Sequence, residues 1–123
     1  RHQRLKLAIV SDAPRMRAWL RLVEMGLQNY FDVVVCFEDT GKYKHTGLPF
    51  KRALKLLQLK PGQCLMVGDW PERDIVGAKK LGIRTVFARY GATKKISNSG
   101  ADFEIDSVAE VVGVVIRLNS AGA

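Results

Sequence analysis

Cysteine and histidine are scarce in this chain, and where they fall excludes several functions at the outset. The two cysteines, Cys36 and Cys64, form no CxxC pair and neither belongs to a Cys/His cluster, so a tetrahedral structural zinc site lacks its ligands. Each cysteine sits inside an apolar run, where a buried reduced thiol is the expected state. Long apolar runs are missing too. No stretch approaches the ~20 residues needed to cross a bilayer, and residues 1–6 are basic with no signal-type apolar segment behind them, so the chain reads as cytoplasmic and without a membrane partner. Acidic residues are outnumbered, 12 against 20 lysines and arginines, for a net charge of +8. That excess would suit a polyanion, but the cations are dispersed (Arg15, Arg17, Arg21; Lys51, Arg52, Lys55; Lys79, Lys80; Lys94, Lys95). Dispersion favours solvated helix faces over a nucleic-acid surface. There is no linker, repeat or low-complexity segment, and 123 residues at 47% hydrophobic suffice for one compact domain over residues 1–123.

What is present is an alternation. Apolar runs of about five residues, rich in β-branched side chains, alternate with stretches of helical period, the pattern of a parallel sheet covered by helices. Strands are expected at 5–10, 33–37, 64–68, 85–88 and 103–105, and helices at 15–26, 48–57, 72–81 and 108–118. A long loop is expected over 92–100. The fold class is therefore α/β, a three-layer αβα sandwich around a parallel, Rossmann-like sheet. In such folds ligands bind beyond the carboxyl ends of the strands, so the polar residues just after each apolar run are the candidates for chemistry.

Three such positions stand out. The first strand ends in Ser11 and Asp12 ahead of Pro14, delivering a hydroxyl and backbone N–H groups to the mouth of a helix; this is either an anion site or a helix cap, and the two are compatible. The third strand ends Gly68-Asp69, with Asp74 following where the chain enters a helix. Paired carboxylates there are hard oxygen donors suited to Mg²⁺ beside a phosphate, although a turn aspartate and a first-turn helix carboxylate would account for each one singly. Between these lies a polar loop containing Lys42 and Lys44. Either lysine could neutralise phosphate oxygens as a compact charge, and either could equally be solvated.

Taken together and in this order, the three motifs resemble the haloacid dehalogenase-like superfamily, most closely its phosphatase-like members. The run LQLKPGQCLMVGDWPERDIVGAKKLGIRTVFARYG, residues 57–91, looks like that family's fourth-motif block. The resemblance implies magnesium-dependent hydrolysis of a small phosphorylated substrate through an aspartyl-phosphate. Asp69 would be the metal aspartate, and Asp74 the supporting carboxylate that joins the metal site or orients its surroundings. Ser11 would bind the phosphoryl group, with Asp12 alongside it in the substrate site. Counting back from Phe50 puts the motif lysine at Lys44 rather than Lys42, with His45 where the family commonly has proline. The larger departure is the nucleophile, which the family carries in an Asp-x-Asp motif on an upstream strand at the centre of the sheet. Asp12 does not supply that motif, because Pro14 stands where the second aspartate belongs. The central strand is thus expected to come from elsewhere, and this chain alone is expected to be inactive. A processed or truncated piece, a two-chain enzyme and a degenerate binding module all remain open. An N-terminal segment or another subunit would complete the sheet.

Overall fold

The computed structural model describes residues 5–92 and 98–122. The described residues form five short strands and five α-helices, one helix more than the apolar pattern predicts. Strand β1 (Ala8–Val10) leads through helix α1 (Arg15–Glu24) to β2 (Val33–Val35). A single turn of helix, α2 (Phe37–Thr40), and a 3₁₀ turn (Lys44–Thr46) precede α3 (Leu48–Leu57). The rear half runs β3 (Leu65–Gly68), α4 (Asp74–Lys80), β4 (Arg84–Ala88), β5 (Phe103–Ile105) and α5 (Ala109–Gly122).

All strand pairs are parallel, but they form two sheets. β1 pairs with β2, Ala8 opposite Val33 and Val10 opposite Val35. β3 pairs with β4, and β4 with β5. The order is β1-β2 in one sheet and β3-β4-β5 in the other. The two inner edges do not bond to each other, and a cavity of about 1030 Å³ lies between them, bounded by Val10 of β1, Met66 of β3, Phe50 and Leu54 of α3, and Val111 and Val115 of α5. The split falls where the sequence led us to expect a missing central strand.

Side-chain alternation builds the three layers. Met66 and Cys64 turn to one face and meet Phe50, Leu54 and Ala78 of α3 and α4. Leu65, Val86, Ala88 and Ile105 turn to the other and meet Val111 and Val114 of α5. This is the two-residue period of a sheet whose faces are both covered. Helix α1 buries Ala18 and Leu22 but leaves Met16, Leu20 and Val23 exposed. Both thiols are free. Burial, then the carboxylate of Asp39, pushes the Cys36 thiol above its ordinary range, and burial does the same for Cys64.

Several element ends differ from the sequence expectation, each for a local reason. Residues 5–7 lie outside β1 because Asp32 closes the chain there: its carboxylate accepts the Leu7 N–H at 2.7 Å, and its own N–H donates to the Leu7 carbonyl at 2.7 Å. Phe37 leaves β2 to begin α2, where the Asp39 carboxylate accepts the Cys36 N–H at 2.6 Å and turns the backbone. Helix α3 spans the expected residues and stops at Gln58, which takes a left-handed conformation (φ 59°). Helix α4 starts at Asp74 rather than Glu72, because the Trp70 carbonyl accepts the N–H groups of Arg73 and Asp74 in a preceding turn. Most of the loop expected over 92–100 lies outside the described residues.

Two helical glycines have opposite surroundings. A methyl group on Gly77 would run into the Lys44 carbonyl and stand 2.9 Å from the Phe50 ring, whereas one on Gly113 would meet nothing within 4 Å. Gly77→Ala is therefore expected to destabilise the chain by about 1–3 kcal/mol through overpacking. Gly113→Ala should stabilise it by about 0.5–1 kcal/mol through helix propensity. Urea unfolding midpoints of the two variants would check the opposite signs.

Candidate active site

The carboxyl ends of β1 and β3 converge through two ion pairs that cross between the halves of the molecule. Lys44, from the 3₁₀ turn before α3, reaches Asp74 at the start of α4 with Nζ 2.5 Å from Oδ1. In the opposite direction Arg73, the residue before α4, places Nη1 2.9 Å from Oδ2 of Asp12, just after β1. The Lys44 and Asp74 side chains are 16% and 5% exposed, so both charges have left bulk water and need each other. The other oxygen of Asp74 accepts the Trp70 N–H at 3.1 Å. Close approach makes this geometry possible, since a Cβ on Gly68 would overlap the Asp74 carboxylate.

Asp12 serves both halves. Its Oδ1 accepts the Lys44 N–H at 2.8 Å while Oδ2 holds Arg73. The carboxylate that sequence reading placed in the substrate site thus has both oxygens engaged by protein. Ser11 is half-buried and follows β1 in register: its N–H donates to the Val35 carbonyl at 2.9 Å, and its hydroxyl accepts the Ala13 N–H at 3.1 Å. Two of the N–H groups expected to be free for an anion are therefore committed. Pro14 at the start of α1 has no polar side chain to cap it, and the first N–H, on Arg15, donates to the Glu38 carboxylate at 2.7 Å.

Asp69 is different. It is exposed, lies against Gly91, and among the described residues makes no hydrogen bond or ion pair. Together with Lys44 and Asp74 it lines the cavity between the two sheets, whereas Ser11 and Asp12 do not. Lys42 is exposed, with its N–H on the Thr40 hydroxyl. Of the two lysines, Lys44 is the one brought to the carboxylates. Among the described residues no cluster of three or more His, Cys, Asp or Glu side chains forms a ready-made metal cage. The donor set still suits one kind of ion: Mg²⁺ is commonly held through one or two carboxylates plus waters and phosphate oxygens, and Asp69 offers one uncommitted carboxylate. Asp74, with both oxygens occupied, is placed to orient Lys44.

The sequence profile described as "Haloacid dehalogenase-like hydrolase" matches residues 1–88. The chain belongs to this family. It is 34% identical over 115 residues to glyceraldehyde 3-phosphate phosphatase of Methanocaldococcus jannaschii, covering 93% of this chain and 50% of that protein. Its backbone matches the crystal structure of a HAD phosphatase from Thermococcus onnurineus with a TM-score of 0.81 at 33% identity, covering 89% of this chain and 50% of that one. The HAD-family protein YfnB of Bacillus subtilis, solved bound to magnesium, matches with a TM-score of 0.79 at 25% identity, covering 93% of this chain and 49% of that one. The chain spans about half the length of the curated relatives it matches.

Residues that sequence reading missed hold this HAD-type site together. The Arg73 guanidinium lies over the rings of Trp70 and Tyr43. Gly77 admits the Lys44 backbone against α4. A glycine inside a helical pattern was the available signal for the second; the first depends on the loop before α3 meeting the turn after β3, which local sequence does not signal. Away from the site, Arg89 hydrogen-bonds Asp106 at 2.7 and 3.0 Å and also pairs with Glu104. The bond to Asp106 raises the Arg89 pKa further and holds the Asp106 carboxyl below its usual range.

Removing Lys44 should leave Asp74 buried without a cation. Lys44→Met is expected to destabilise the chain by about 3 kcal/mol at neutral pH, while Lys42→Met stays within about 0.5 kcal/mol of wild type. Denaturant titration of both variants would check this. Equal effects would show that the Lys44–Asp74 pair adds nothing.

Proposed function

We propose that this chain supplies the phosphate-binding and metal-binding half of a magnesium-dependent phosphate-ester hydrolase. The observation that carries the reading is the buried Lys44–Asp74 pair beside Asp69, which among the described residues makes no hydrogen bond or ion pair, all three lining the cavity between the two sheets. Membership of the family and similarity to phosphatases support it.

Each residue then has a part. Lys44 supplies a fixed ammonium toward phosphate oxygens, and Asp74 prevents it from swinging into solvent; charge placed beforehand in a site that excludes water needs little reorganisation during reaction. Ser11 donates its hydroxyl hydrogen toward the phosphoryl group. Asp69 would hold Mg²⁺, which when bound neutralises charge on the phosphoryl oxygens. Asp12 anchors the Lys44 backbone.

The attacking group comes from an extended segment lying between β1 and β3, either an N-terminal stretch of the same polypeptide or another subunit. Its backbone would pair with the two inner edges, whose N–H and C=O groups otherwise lack strand partners. Its side chains would face apolar walls on both sides, Phe50 and Leu54 on one and Val111 and Val115 on the other. A carboxylate at its carboxyl end attacks phosphorus, the ester oxygen leaves as an alcohol after protonation, and water then splits the acyl phosphate to release inorganic phosphate and restore the carboxylate. Two free thiols suit a cytoplasmic location.

The test is reconstitution. Purified residues 1–123 are expected to hydrolyse no p-nitrophenyl phosphate with Mg²⁺ and to bind Mg²⁺ weakly by calorimetry unless orthophosphate is present. Co-expression with the strand-supplying segment should bring turnover, and Asp69→Asn in that complex should abolish it. Magnesium- and Asp69-dependent turnover by residues 1–123 alone would overturn the division of labour between the two segments. Turnover in the complex that ignores Asp69→Asn would overturn the metal role.

A further inference from the structure

A second cation sits beside the site, built in as firmly as Lys44 and not used by the chemistry described above. The Arg73 guanidinium carbon lies 4.5 Å from the centre of the Tyr43 ring and 4.2 Å from that of Trp70, so it touches two aromatic faces. Tyr43 is itself steadied by Phe37, ring centres 4.9 Å apart. Trp70 extends the arrangement to Glu72, its indole N–H 3.4 Å from the carboxylate. The outward end of Arg73 grips Asp12 at 2.9 Å, and the second oxygen of Asp12 receives the Lys44 N–H at 2.8 Å. A continuous chain of contacts therefore runs from the aromatics through Arg73 and Asp12 to the backbone of Lys44.

We infer that Arg73 is a positioning residue for Lys44: by holding Asp12 it fixes the 3₁₀ turn from which the Lys44 side chain reaches Asp74. The physical grounds are geometric. A guanidinium is planar and keeps its charge, so it can stack on rings and pair with a carboxylate at once, which an ammonium does poorly. Asp12 belongs to the β1 half and Arg73 to the β3 half, and no strand pairing joins those halves. The Arg73–Asp12 pair and the Lys44–Asp74 pair are ties of opposite polarity across the same divide, so slack in one is transmitted to the other through the Lys44 backbone. Tyr43, directly before Lys44 in the chain, repeats the connection on its other side. What this means for a ligand rests on the proposed phosphate role of Lys44; the positioning itself does not.

Nuclear magnetic resonance on ¹⁵N-labelled residues 1–123 separates the two. In Arg73→Met the Lys44 amide is expected to shift and to exchange its hydrogen about tenfold faster, the scale of one charge-assisted hydrogen bond loosened at a half-buried site, while amides of β4 stay as in wild type. Arg73→Lys retains a cation for Asp12 but stacks poorly on the rings, and should recover only part of that protection. Tyr43→Leu, which removes one stacking face and leaves the pair, should give an effect of about threefold; it also decides the matter if Arg73→Met does not fold. A Lys44 amide unmoved in Arg73→Met or, where that variant is unfolded, in Tyr43→Leu overturns the inference. So does an Arg73→Lys variant no better protected than Arg73→Met. Orthophosphate with Mg²⁺ is then titrated into wild type. Lys44 side-chain resonances that ignore it overturn the phosphate reading, while the amide data still decide the role of Arg73.

Discussion

The Lys44–Asp74 ion pair, with side chains 16% and 5% exposed, is the interaction around which the rest of the molecule is arranged. Two charges removed from water to this degree are tolerable only when they meet at hydrogen-bond distance and their remaining valences are satisfied. Much of the local architecture meets that condition. Gly68 lets the Asp74 carboxylate lie against β3, Trp70 donates to its second oxygen, and Gly77 lets the Lys44 backbone press on α4. The Asp12 carboxylate takes the Lys44 N–H. Each of these residues is small, turn-forming or charged for a reason that traces back to one pair.

The same pair bridges a divided sheet. With no hydrogen bonds between β1 and β3, the halves are joined on one face by α3 packing against α4, through Phe50, Ala78 and Ile83, and at the strand ends by the two crossed ion pairs. Apolar packing supplies most of the cohesion, because it scales with the area withdrawn from water. The ion pairs supply register: they set how the end of one sheet faces the end of the other. A binding site built from both halves depends on that register to a fraction of an ångström.

In chemical terms the described residues carry placement and charge. Lys44 is committed to Asp74, and Asp12 to Arg73 and the Lys44 backbone. Among the described residues, Asp69 makes no hydrogen bond or ion pair. Charges fixed in advance in this way are what electrostatic preorganisation requires.

Much of this was determined by the sequence itself. Alternation of β-branched runs with helical periods specified the α/β class and parallel strands, because burial on both faces leaves a pattern that any sheet of this kind must show. The residues after the strands, Ser11, Asp69 and Asp74, were legible as candidates because strand ends are where such folds expose polar groups. Strand lengths were less legible. Asp32 and Asp39 capture backbone N–H groups with their side chains and cut β1 and β2 short, a competition that local propensity does not register. Counting back from Phe50 already favoured Lys44 over Lys42; the tertiary structure adds that the 3₁₀ turn brings Lys44 to Asp74 and leaves Lys42 exposed. It alone showed that Asp12 is occupied and that Arg73 stands between Tyr43 and Trp70. Those contacts join Asp12, Tyr43 and the residues after β3, across 61 positions in the case of Arg73 and Asp12. Pairings that distant exist only once the helices have brought the strand ends together.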